Sequence, residues 1–490
     1  MSNNNLPLSN FVQINASLIN RNTLYKKFIS KILPNSYLDR TLVSFQGNKQ
    51  APFSCWFKYR EGFSERLVTY LLQEFKSQPG ILLDPFSGSG SSLFAASALG
   101  WQSIGIELLP VGIFATKSRL ISHQINVSSL KTVIYDLKKI NFLDYYNQID
   151  TFNHIAITQG AFSSTNEKKL IGYLFYCNTC ISDEDIRSLL MYAAFCILED
   201  ISYTRKDGQY LRWDTRSGRC KGKNEFNKGE ILTFENAIQQ KLKQIASDLD
   251  ISSIQLDLFN KSLRLQDTIQ NPEPNLFQGS CLEILPTIQE STIDFVMTSP
   301  PYANRYDYTR TYALELAFLG CSEEKVKHLR QTMLSCTVEN RDKRNSLENY
   351  YTGIGRYHDF LKIDLTFQNQ AALQEVLVIL DNYRIEGKLN NKNITRMLRN
   401  YFYEMCFVIY ELARILKAGG IVAMVNDNVR YAGEEVPVDL ILCDIAESFG
   451  LVTRHIWILG QGKGNSSQQM GNHGRSELRK CVYIWEKPGL

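Results

Sequence analysis

The sequence has no uninterrupted apolar run of 18 residues, which is about the shortest stretch that crosses a bilayer as a helix. Its first residues, Met-Ser-Asn-Asn-Asn-Leu, also lack the basic and apolar pattern of a secretory signal. We therefore expect a cytoplasmic protein without a membrane partner.

Cysteine has no regular spacing in this chain. The eleven cysteines are scattered, and an odd number without a pattern is typical of reduced thiols. Cys177 and Cys180 have the spacing of zinc ligands, but no second such pair and no nearby histidine pair completes a site. We predict buried thiols and no metal site.

The sequence also has little surplus of charge of either sign. The net charge is +4 over 490 residues, and 44% hydrophobic with 21% charged residues is ordinary for a globular protein. This balance neither requires nor excludes a nucleic-acid partner. The length exceeds one typical core, so we expect two domains or one large domain with insertions.

A strand, a glycine-containing turn and a helix follow one another early in the chain. The apolar residues 80–83 lead into the turn 84–90, Asp-Pro-Phe-Ser-Gly-Ser-Gly, and an alanine-rich helix ends at Gly100. This order is typical of the first unit of a doubly wound sheet, whose glycines let a ligand approach the backbone. A second strand, 103–106, ends at Glu107, where an acidic residue can accept hydrogen bonds from both hydroxyls of a ribose.

Two common phosphate-binding patterns are missing from this turn. It has neither the GxGxxG spacing nor the GxxxxGK[ST] spacing, and no lysine stands ready for a phosphate. The turn therefore disfavours NAD and ATP and favours a nucleoside that has no pyrophosphate.

The second candidate site is the pentapeptide Thr-Ser-Pro-Pro-Tyr. It ends the apolar run 293–297, which predicts a buried strand that stops because proline cannot donate to a sheet ladder. Ser299 offers a hydroxyl, Pro300 and Pro301 form a stiff lip, and Tyr302 supplies a flat ring. A planar ring that carries an amine can be held there by stacking and by hydrogen bonds at its edge.

Two long stretches, 120–270 and 311–395, interrupt the alternation of strands and helices and read as mostly helical insertions. The first contains a basic segment, 203–223, with seven Arg or Lys against two Asp and with three aromatic residues between them. Such a segment suits phosphates and bases, although a solvated basic loop explains it equally well. Its candidate contacts to DNA are Arg205, Lys206, Arg212, Trp213 and Arg216.

Together, the segments 84–90 and 298–302 resemble the S-adenosylmethionine-binding motif and the [DNS]-P-P-[YFW] catalytic motif of amino-methylating DNA methyltransferases, in the Ser form typical of cytosine-N4 enzymes. The resemblance covers about half of the chain, roughly 53–115, 275–310 and 400–490. It implies an α/β fold: a Rossmann-like S-adenosylmethionine-dependent methyltransferase sheet with helices on both faces, plus two largely helical insertions.

The resemblance also implies roles for individual residues. In this family a Gly-Asp pair contacts the adenine of the cofactor, but residues 279–280 are Gly-Ser, so that contact passes to Ser280 or Cys281. The aromatic stretch 56–63 resembles the segment that covers the cofactor. The remaining residues implied for the cofactor are Asp84, Phe86, Ser87, Gly88, Gly90 and Glu107, and those implied for catalysis are Ser299, Pro300, Pro301 and Tyr302.

These assignments divide the chain into six parts. The first, 1–50, is predicted to be a polar and irregular extension, and two closing strands near the end are expected to form an antiparallel hairpin at the sheet edge. The other parts are 51–119 and 271–310 as the cofactor-binding and catalytic parts of the core, 396–490 as its C-terminal part, 120–270 as the preferred candidate for target recognition, and 311–395 as a second helical insertion.

The function implied is a site-specific transfer of a methyl group to N4 of cytosine in duplex DNA, with a cognate restriction endonuclease as a possible partner. No Pro-Cys pair occurs in the chain, which disfavours methylation of a ring carbon through a thiol nucleophile. Three alternatives stay open: methylation of adenine N6, methylation of structured RNA, and a DNA-binding module without catalysis.

Overall fold

The computed structural model describes residues 19–76, 78–207, 210–219, 225–262, 271–459 and 478–489. The strands are β1 (Ile32–Pro34), β2 (Ile81–Asp84), β3 (Gln102–Glu107), β4 (Thr204–Asp207), β5 (Tyr210–Trp213), β6 (Asn275–Gln278), β7 (Ile293–Thr298), β8 (Leu416–Asp427), β9 (Val429–Tyr431), β10 (Glu434–Val436), β11 (Val452–Ile458) and β12 (Lys480–Glu486). The first eighteen residues, the centre and end of the basic segment, and 460–477 lie outside this description.

Eight of these strands form one sheet, in the order β1-β11-β12-β8-β7-β2-β3-β6. The strands β8, β7, β2, β3 and β6 run parallel to their neighbours in that series, and β12 runs antiparallel to both β11 and β8. Two separate hairpins, β4–β5 and β9–β10, lie outside this sheet. Because the central strands are parallel, their carboxyl ends meet along one edge.

The helices connect and cover these strands. They are α1 (Ile19–Phe28), α2 (Glu65–Phe75), α3 (Ser91–Ala98), α4 (Pro110–Ser122), α5 (Val127–Leu137), α6 (Ser164–Cys180), α7 (Glu184–Cys196), α8 (Leu198–Ile201), α9 (Phe234–Ser262), α10 (Cys281–Ile284), α11 (Tyr308–Thr311), α12 (Ala313–Phe318), α13 (Glu323–Thr332), α14 (Arg344–Gly353), α15 (Tyr357–Asn369), α16 (Ala371–Ile385), α17 (Ile394–Ile415) and α18 (Val438–Ser448).

Apolar side chains of the central strands alternate between two hydrophobic cores, as the two-residue period of a strand requires. Leu83 and Val296 belong to a core shared with α17 and α18, whereas Leu82 and Phe295 belong to a core shared with α2 and α3. The sheet is therefore covered by helices on both faces. The predicted α/β, Rossmann-like fold with two helical insertions is confirmed.

The first insertion supplies most of a third hydrophobic core. Phe195 of α7 and Phe234 of α9 are fully buried in it. Phe57 of the aromatic stretch and Tyr312, next to α12, are buried in the same core. Helices α14–α16 instead pack in the core around α17. The second insertion is thus divided between two cores.

The prediction of an irregular N-terminal extension is wrong for the part of it that the structure describes. Helix α1 and strand β1 are both regular, and Phe28 and Ile32 are 1% and 3% exposed. Ile32 pairs in parallel with Ile456 of β11. A three-residue strand that ends in proline has no alternation to reveal it, and proline is tolerated there because this is an edge strand.

The prediction of an antiparallel closing hairpin is confirmed by the pairing of β11 with β12. Its predicted place at the sheet edge is wrong, because β1 lies outside β11 and β12 lies inside against β8. In the parts of the chain that the structure describes, no helix has the length and apolarity needed to cross a bilayer.

Candidate active site

A cavity of about 780 Å³ lies where the strands β2, β3, β6 and β7 end. We call it the edge cavity. The strand ends and the turns after them supply one side of the cavity: Asp84, Pro85, Phe86, Ser87, Gly88, Ser89, Ser91, Ile106, Glu107, Leu108, Leu109, Gly279, Ser280, Cys281, Ser299 and Pro301. The remaining lining residues are Tyr59, Glu61, Gly62, Phe63, Tyr308, Thr332, Met333 and Leu334.

Asp84 ends β2 and turns the chain into the glycine turn. Its Oδ1 accepts a hydrogen bond from the Phe86 N–H at 3.0 Å, and its Oδ2 accepts one from the Ser92 hydroxyl. Burial raises the pKa of this carboxyl to about 6. The carboxylate therefore holds the turn in place while it faces the cavity.

Glu107 ends β3 and grips the same turn from the other side. Its two carboxylate oxygens accept hydrogen bonds from the N–H of Gly88 at 2.8 Å and of Leu109 at 2.6 Å. Burial raises the pKa of Glu107 to about 7. Gly88 has a φ of +53°, and a Cβ there would come within 2.7 Å of the Tyr59 ring. This position needs glycine for its backbone conformation and for space.

Ser280 and Cys281 follow β6 and begin α10. The Ser280 Oγ accepts a hydrogen bond from the Leu282 N–H at 3.3 Å, as an N-cap residue does. Burial raises the pKa of the Cys281 thiol, so it stays protonated and unreactive. Both residues line the edge cavity and could contact a ligand, as predicted for them, although neither offers a carboxylate.

The lip after β7 contributes two of its residues to the wall of the edge cavity. Ser299 and Pro301 line the cavity, whereas Pro300 is buried and Tyr302 is half-buried outside the cavity wall. The Ser299 hydroxyl donates a hydrogen bond to the Tyr302 hydroxyl at 3.2 Å. Lys480 Nζ lies 5.8 Å from the centre of the Tyr302 ring. Ser299 therefore connects the wall of the edge cavity to Tyr302 through one hydrogen bond.

Most of the predicted site residues therefore lie around one cavity, although they come from four separate strand ends. Gly90 is the exception among the cofactor candidates, because it does not line the cavity. It has a φ of +83° and occupies the N-cap position of α3, so it ends the turn and begins the helix without lining the cavity.

Part of the cavity wall comes from the aromatic stretch 56–63, which the resemblance placed over the cofactor, and part was missed by sequence reasoning. Glu61 lies within the aromatic stretch, accepts a hydrogen bond from the Tyr312 hydroxyl, and has a pKa raised by burial. Tyr59 stacks on Tyr312 with ring centres 5.1 Å apart. The segment 332–334 comes from the second insertion and had no signal at all.

The basic segment predicted to contact DNA forms the hairpin β4–β5 in its described part. One of its candidates, Lys206, is wrongly assigned, because its side chain is 3% exposed and forms an ion pair with the buried Glu315. Its ammonium group lies 4.9 Å from the ring centres of both Phe57 and Tyr312. Lys206 therefore anchors the hairpin on the aromatic stretch.

The other candidates remain near the surface. Arg205 is exposed, and Arg212 is half-buried with an ion pair to Asp207 at 3.1 Å. Arg216 donates two hydrogen bonds to the carboxylate of Asp214, at 2.7 and 2.8 Å. Trp213 is half-buried, and the Arg219 guanidinium lies 4.4 Å from its ring centre. Arg205 is thus the most available of them for a phosphate.

No family model matches this sequence. Among curated proteins, the type II methyltransferase M.AvaI, from both Nostoc sp. and Anabaena variabilis, is 46% identical over 471 residues, which covers 95% of this chain and 92% of the relative. The type II methyltransferase M.BsoBI from Geobacillus stearothermophilus is 40% identical over 486 residues, or 96% of this chain and 93% of the relative. With likeness of this degree over nearly the whole chain, the protein belongs to the family of type II DNA methyltransferases.

Proposed function

We propose that this protein is a site-specific DNA methyltransferase that transfers a methyl group from S-adenosylmethionine to N4 of cytosine in duplex DNA, within a restriction–modification system. The observation that carries the proposal is the position of Ser299, which lies in the wall of the edge cavity and is hydrogen-bonded to Tyr302. A serine there offers a neutral hydroxyl to the exocyclic amine of a base, in the form that the resemblance associates with N4 of cytosine.

The edge cavity fits S-adenosylmethionine in its chemistry. Glu107 offers carboxylate oxygens to ribose hydroxyls, and Asp84 offers a second negative charge to a cationic ligand. Phe86, Leu108 and Met333 supply apolar contacts for an adenine ring. When bound, the cofactor supplies an electrophilic methyl group on a sulfonium.

The residues of the lip hold the amine of the base for attack. Because the Ser299 hydroxyl donates its hydrogen to Tyr302, its lone pairs stay available to accept a hydrogen of the amine. The carbonyl of Pro300 accepts the second hydrogen. The nitrogen lone pair is then turned out of conjugation with the ring and toward the edge cavity, and this alignment supplies on the order of 7–11 kcal/mol. The amine nitrogen gains the methyl group, whose bond to the sulfonium sulfur breaks to leave a neutral thioether, and the nitrogen then gives up one proton to solvent, so no covalent enzyme intermediate is needed.

The target cytosine must leave the duplex to reach this point. Tyr302 offers its ring for stacking on the flipped base, and flipping costs a few kcal/mol. We propose that Arg205, Arg212 and Trp213 of the hairpin β4–β5 contact the DNA, and that a cognate restriction endonuclease acts on the same site. This hairpin belongs to residues 120–270, the preferred candidate for target recognition.

The experiment that tests this function is mass spectrometry of nucleosides from DNA incubated with the protein and methyl-labelled S-adenosylmethionine. We expect label in N4-methylcytosine and none with the Ser299→Ala variant. Label in N6-methyladenine instead would overturn the choice of base and leave the site intact. Label in RNA alone, or no label at all, would overturn DNA as the substrate.

A further inference from the structure

The first turn of α17 lines a second concavity, of about 640 Å³, on the surface of the protein. Its walls carry four basic side chains against one acidic side chain. We call it the basic groove, and it is lined by Asp381, Arg384, Lys392, Asn393, Thr395, Arg396 and Arg399.

Two of the four basic side chains in the groove have no acidic partner among the residues that the structure describes. Asp381 pairs with Arg384 at 3.0 Å and lies 3.8 Å from Arg399. Within the described ranges, Lys392 and Arg396 form no ion pair, and Arg396 donates a hydrogen bond only to the carbonyl of Val338, at 3.0 Å. Both side chains are exposed. The groove therefore presents net positive charge to an approaching anion.

The same groove receives the N-terminus of a long helix. α17 has 22 residues, and the first N–H groups of any α-helix have no partner within the helix. Asn393 occupies the N-cap position but its side chain makes no capping hydrogen bond. The Ile394 N–H donates to the Asn391 carbonyl at 3.3 Å, whereas the N–H groups of Thr395 and Arg396 and the positive end of the helix dipole lie at the groove, as in known phosphate sites.

A buried hydroxyl points independently to a ligand. Thr395 is 2% exposed and lines the groove. Its Oγ1 has no hydrogen-bond partner among the residues that the structure describes. Burying a hydroxyl without a partner is costly, and the oxygen of an anion seated at the helix N-terminus would relieve that cost.

The groove and Ser299 lie on the same edge of the sheet. Helix α17 leads directly into β8, which is parallel to β7, so α17 runs back along the sheet and begins at its carboxyl edge. Arg305, three residues after Tyr302, donates a hydrogen bond to Asn390 at 3.2 Å, immediately before the groove. The backbone of a DNA strand that delivers a base to Ser299 can therefore pass over the groove.

We propose that the basic groove binds a phosphodiester of the target DNA. Lys392 and Arg396 supply the charges, and the N-terminus of α17 and Thr395 supply hydrogen-bond donors. Such contacts position a duplex without reading its sequence. The inference rests on the DNA substrate of the proposed function, but not on cytosine N4 as the atom that is methylated.

The test measures the affinity of the full-length protein for duplex DNA at several salt concentrations. Each phosphate contact contributes about 0.9 to the slope of log affinity against log salt. We expect the Lys392→Gln/Arg396→Gln variant to lower that slope by about 0.9, the contribution of one phosphate, equally for duplexes with and without the methylated site. The matched control is Lys362→Gln, an exposed lysine beside Tyr410, which lies roughly 20 Å further along α17.

Calorimetry of S-adenosylmethionine binding shows whether each variant is folded, and we expect the same affinity as in the parent protein. An unchanged salt slope in the double variant would overturn the groove as a phosphate site, and so would an equal decrease in the Lys362→Gln control. The proposed function is tested separately by the labelling experiment. Label in adenine would refute cytosine N4 as the methylated atom, and the salt slope would still test whether the basic groove binds a phosphate.

Discussion

At the scale of single residues, the site depends on two carboxylates that are buried and yet bonded to backbone N–H groups. Asp84 ends β2 and Glu107 ends β3. Both carboxylates accept hydrogen bonds from N–H groups of the turn after β2, Asp84 from Phe86 and Glu107 from Gly88. Burial disfavours their charged forms, and backbone donors recover only part of that cost. A cationic or hydroxyl-bearing ligand supplies the compensation that the protein alone lacks.

We expect Glu107 to make cofactor binding dependent on pH. Its pKa is raised by burial to about 7 and that of Asp84 to about 6, so both carboxyls gain protons as the pH falls through these values. A carboxylate accepts from both ribose hydroxyls only when it is deprotonated. The affinity for S-adenosylmethionine should therefore rise from pH 5.5 to pH 8, with protons released on binding, as calorimetry in two buffers of different ionisation enthalpy measures.

Replacing Glu107 by glutamine should remove the step near pH 7 and leave the step near pH 6 that belongs to Asp84. A cofactor affinity that does not change with pH would show that Glu107 does not contact the cofactor.

The same burial makes the stability of the cofactor-free protein decrease as the pH rises. Because both carboxyls ionise near 4 when unfolded, their contribution to stability is present below pH 4 and is lost as the pH rises through 7.

Ser299 should act on turnover and not on cofactor binding. Replacing it by alanine removes the acceptor that we assign to the amine, so we expect single-turnover methylation to slow on the order of 100-fold. The affinity for S-adenosylmethionine should change less than twofold, because Ser299 lies at the rim of the edge cavity. Glu107→Ala should show the reverse pattern, with weakened binding. Equal loss of both properties in Ser299→Ala would mean that the lip is misassigned.

At the scale of elements, the hairpin β4–β5 is tied to the cofactor side of the molecule through one buried lysine. Lys206 pairs with Glu315, and their side chains are 3% and 1% exposed. Glu315 lies on α12, beside Tyr312, which in turn contacts Glu61 at the cavity wall. A hairpin proposed to touch DNA is thus packed against the aromatic stretch that covers the edge cavity.

We expect Lys206→Ala to destabilise the protein by about 3–5 kcal/mol, because it leaves the buried Glu315 carboxylate without a partner. Arg205→Ala, one residue away on the exposed side of the hairpin, should change stability by less than about 0.5 kcal/mol. Urea denaturation measures both. The double variant Lys206→Met/Glu315→Leu should recover most of the loss. Equal stability of the two single variants would show that the ion pair is not buried in solution.

At the scale of the whole molecule, the N-terminal segment completes the sheet on which the site is built. β1 covers the outer side of β11, and Phe28 packs in the core around α17 and α18. Phe28→Ala should therefore cost about 3–5 kcal/mol of stability. Lys27→Ala, which removes partly exposed ion pairs to Asp444 and Glu447 and a contact with the Phe28 ring, should cost about 0–1 kcal/mol. A small effect of Phe28→Ala on the free energy of unfolding, measured by urea denaturation, would show that this segment does not pack in the core.

The central strands and the cavity residues that end them were predictable because each depends on local sequence. Apolar runs that stop at Asp84, Glu107 and the two prolines show both the strand and its carboxyl end. Parallel strands place those ends on one edge, whatever lies between them in the chain. In contrast, β1 was not predictable, because a short edge strand carries no period and is defined only by its partner.

The sequence by itself therefore determined the fold class, the position of both motifs and the family resemblance, since these rest on residues a few positions apart. Only the tertiary structure decided which basic side chains face solvent. Lys206 and Arg205 are neighbours in sequence, but the pleat of β4 turns one into a core and the other to water. The basic groove likewise brings together Arg384 of α16, Lys392 of the loop that follows it and Arg396 of α17, because α16 packs on α17.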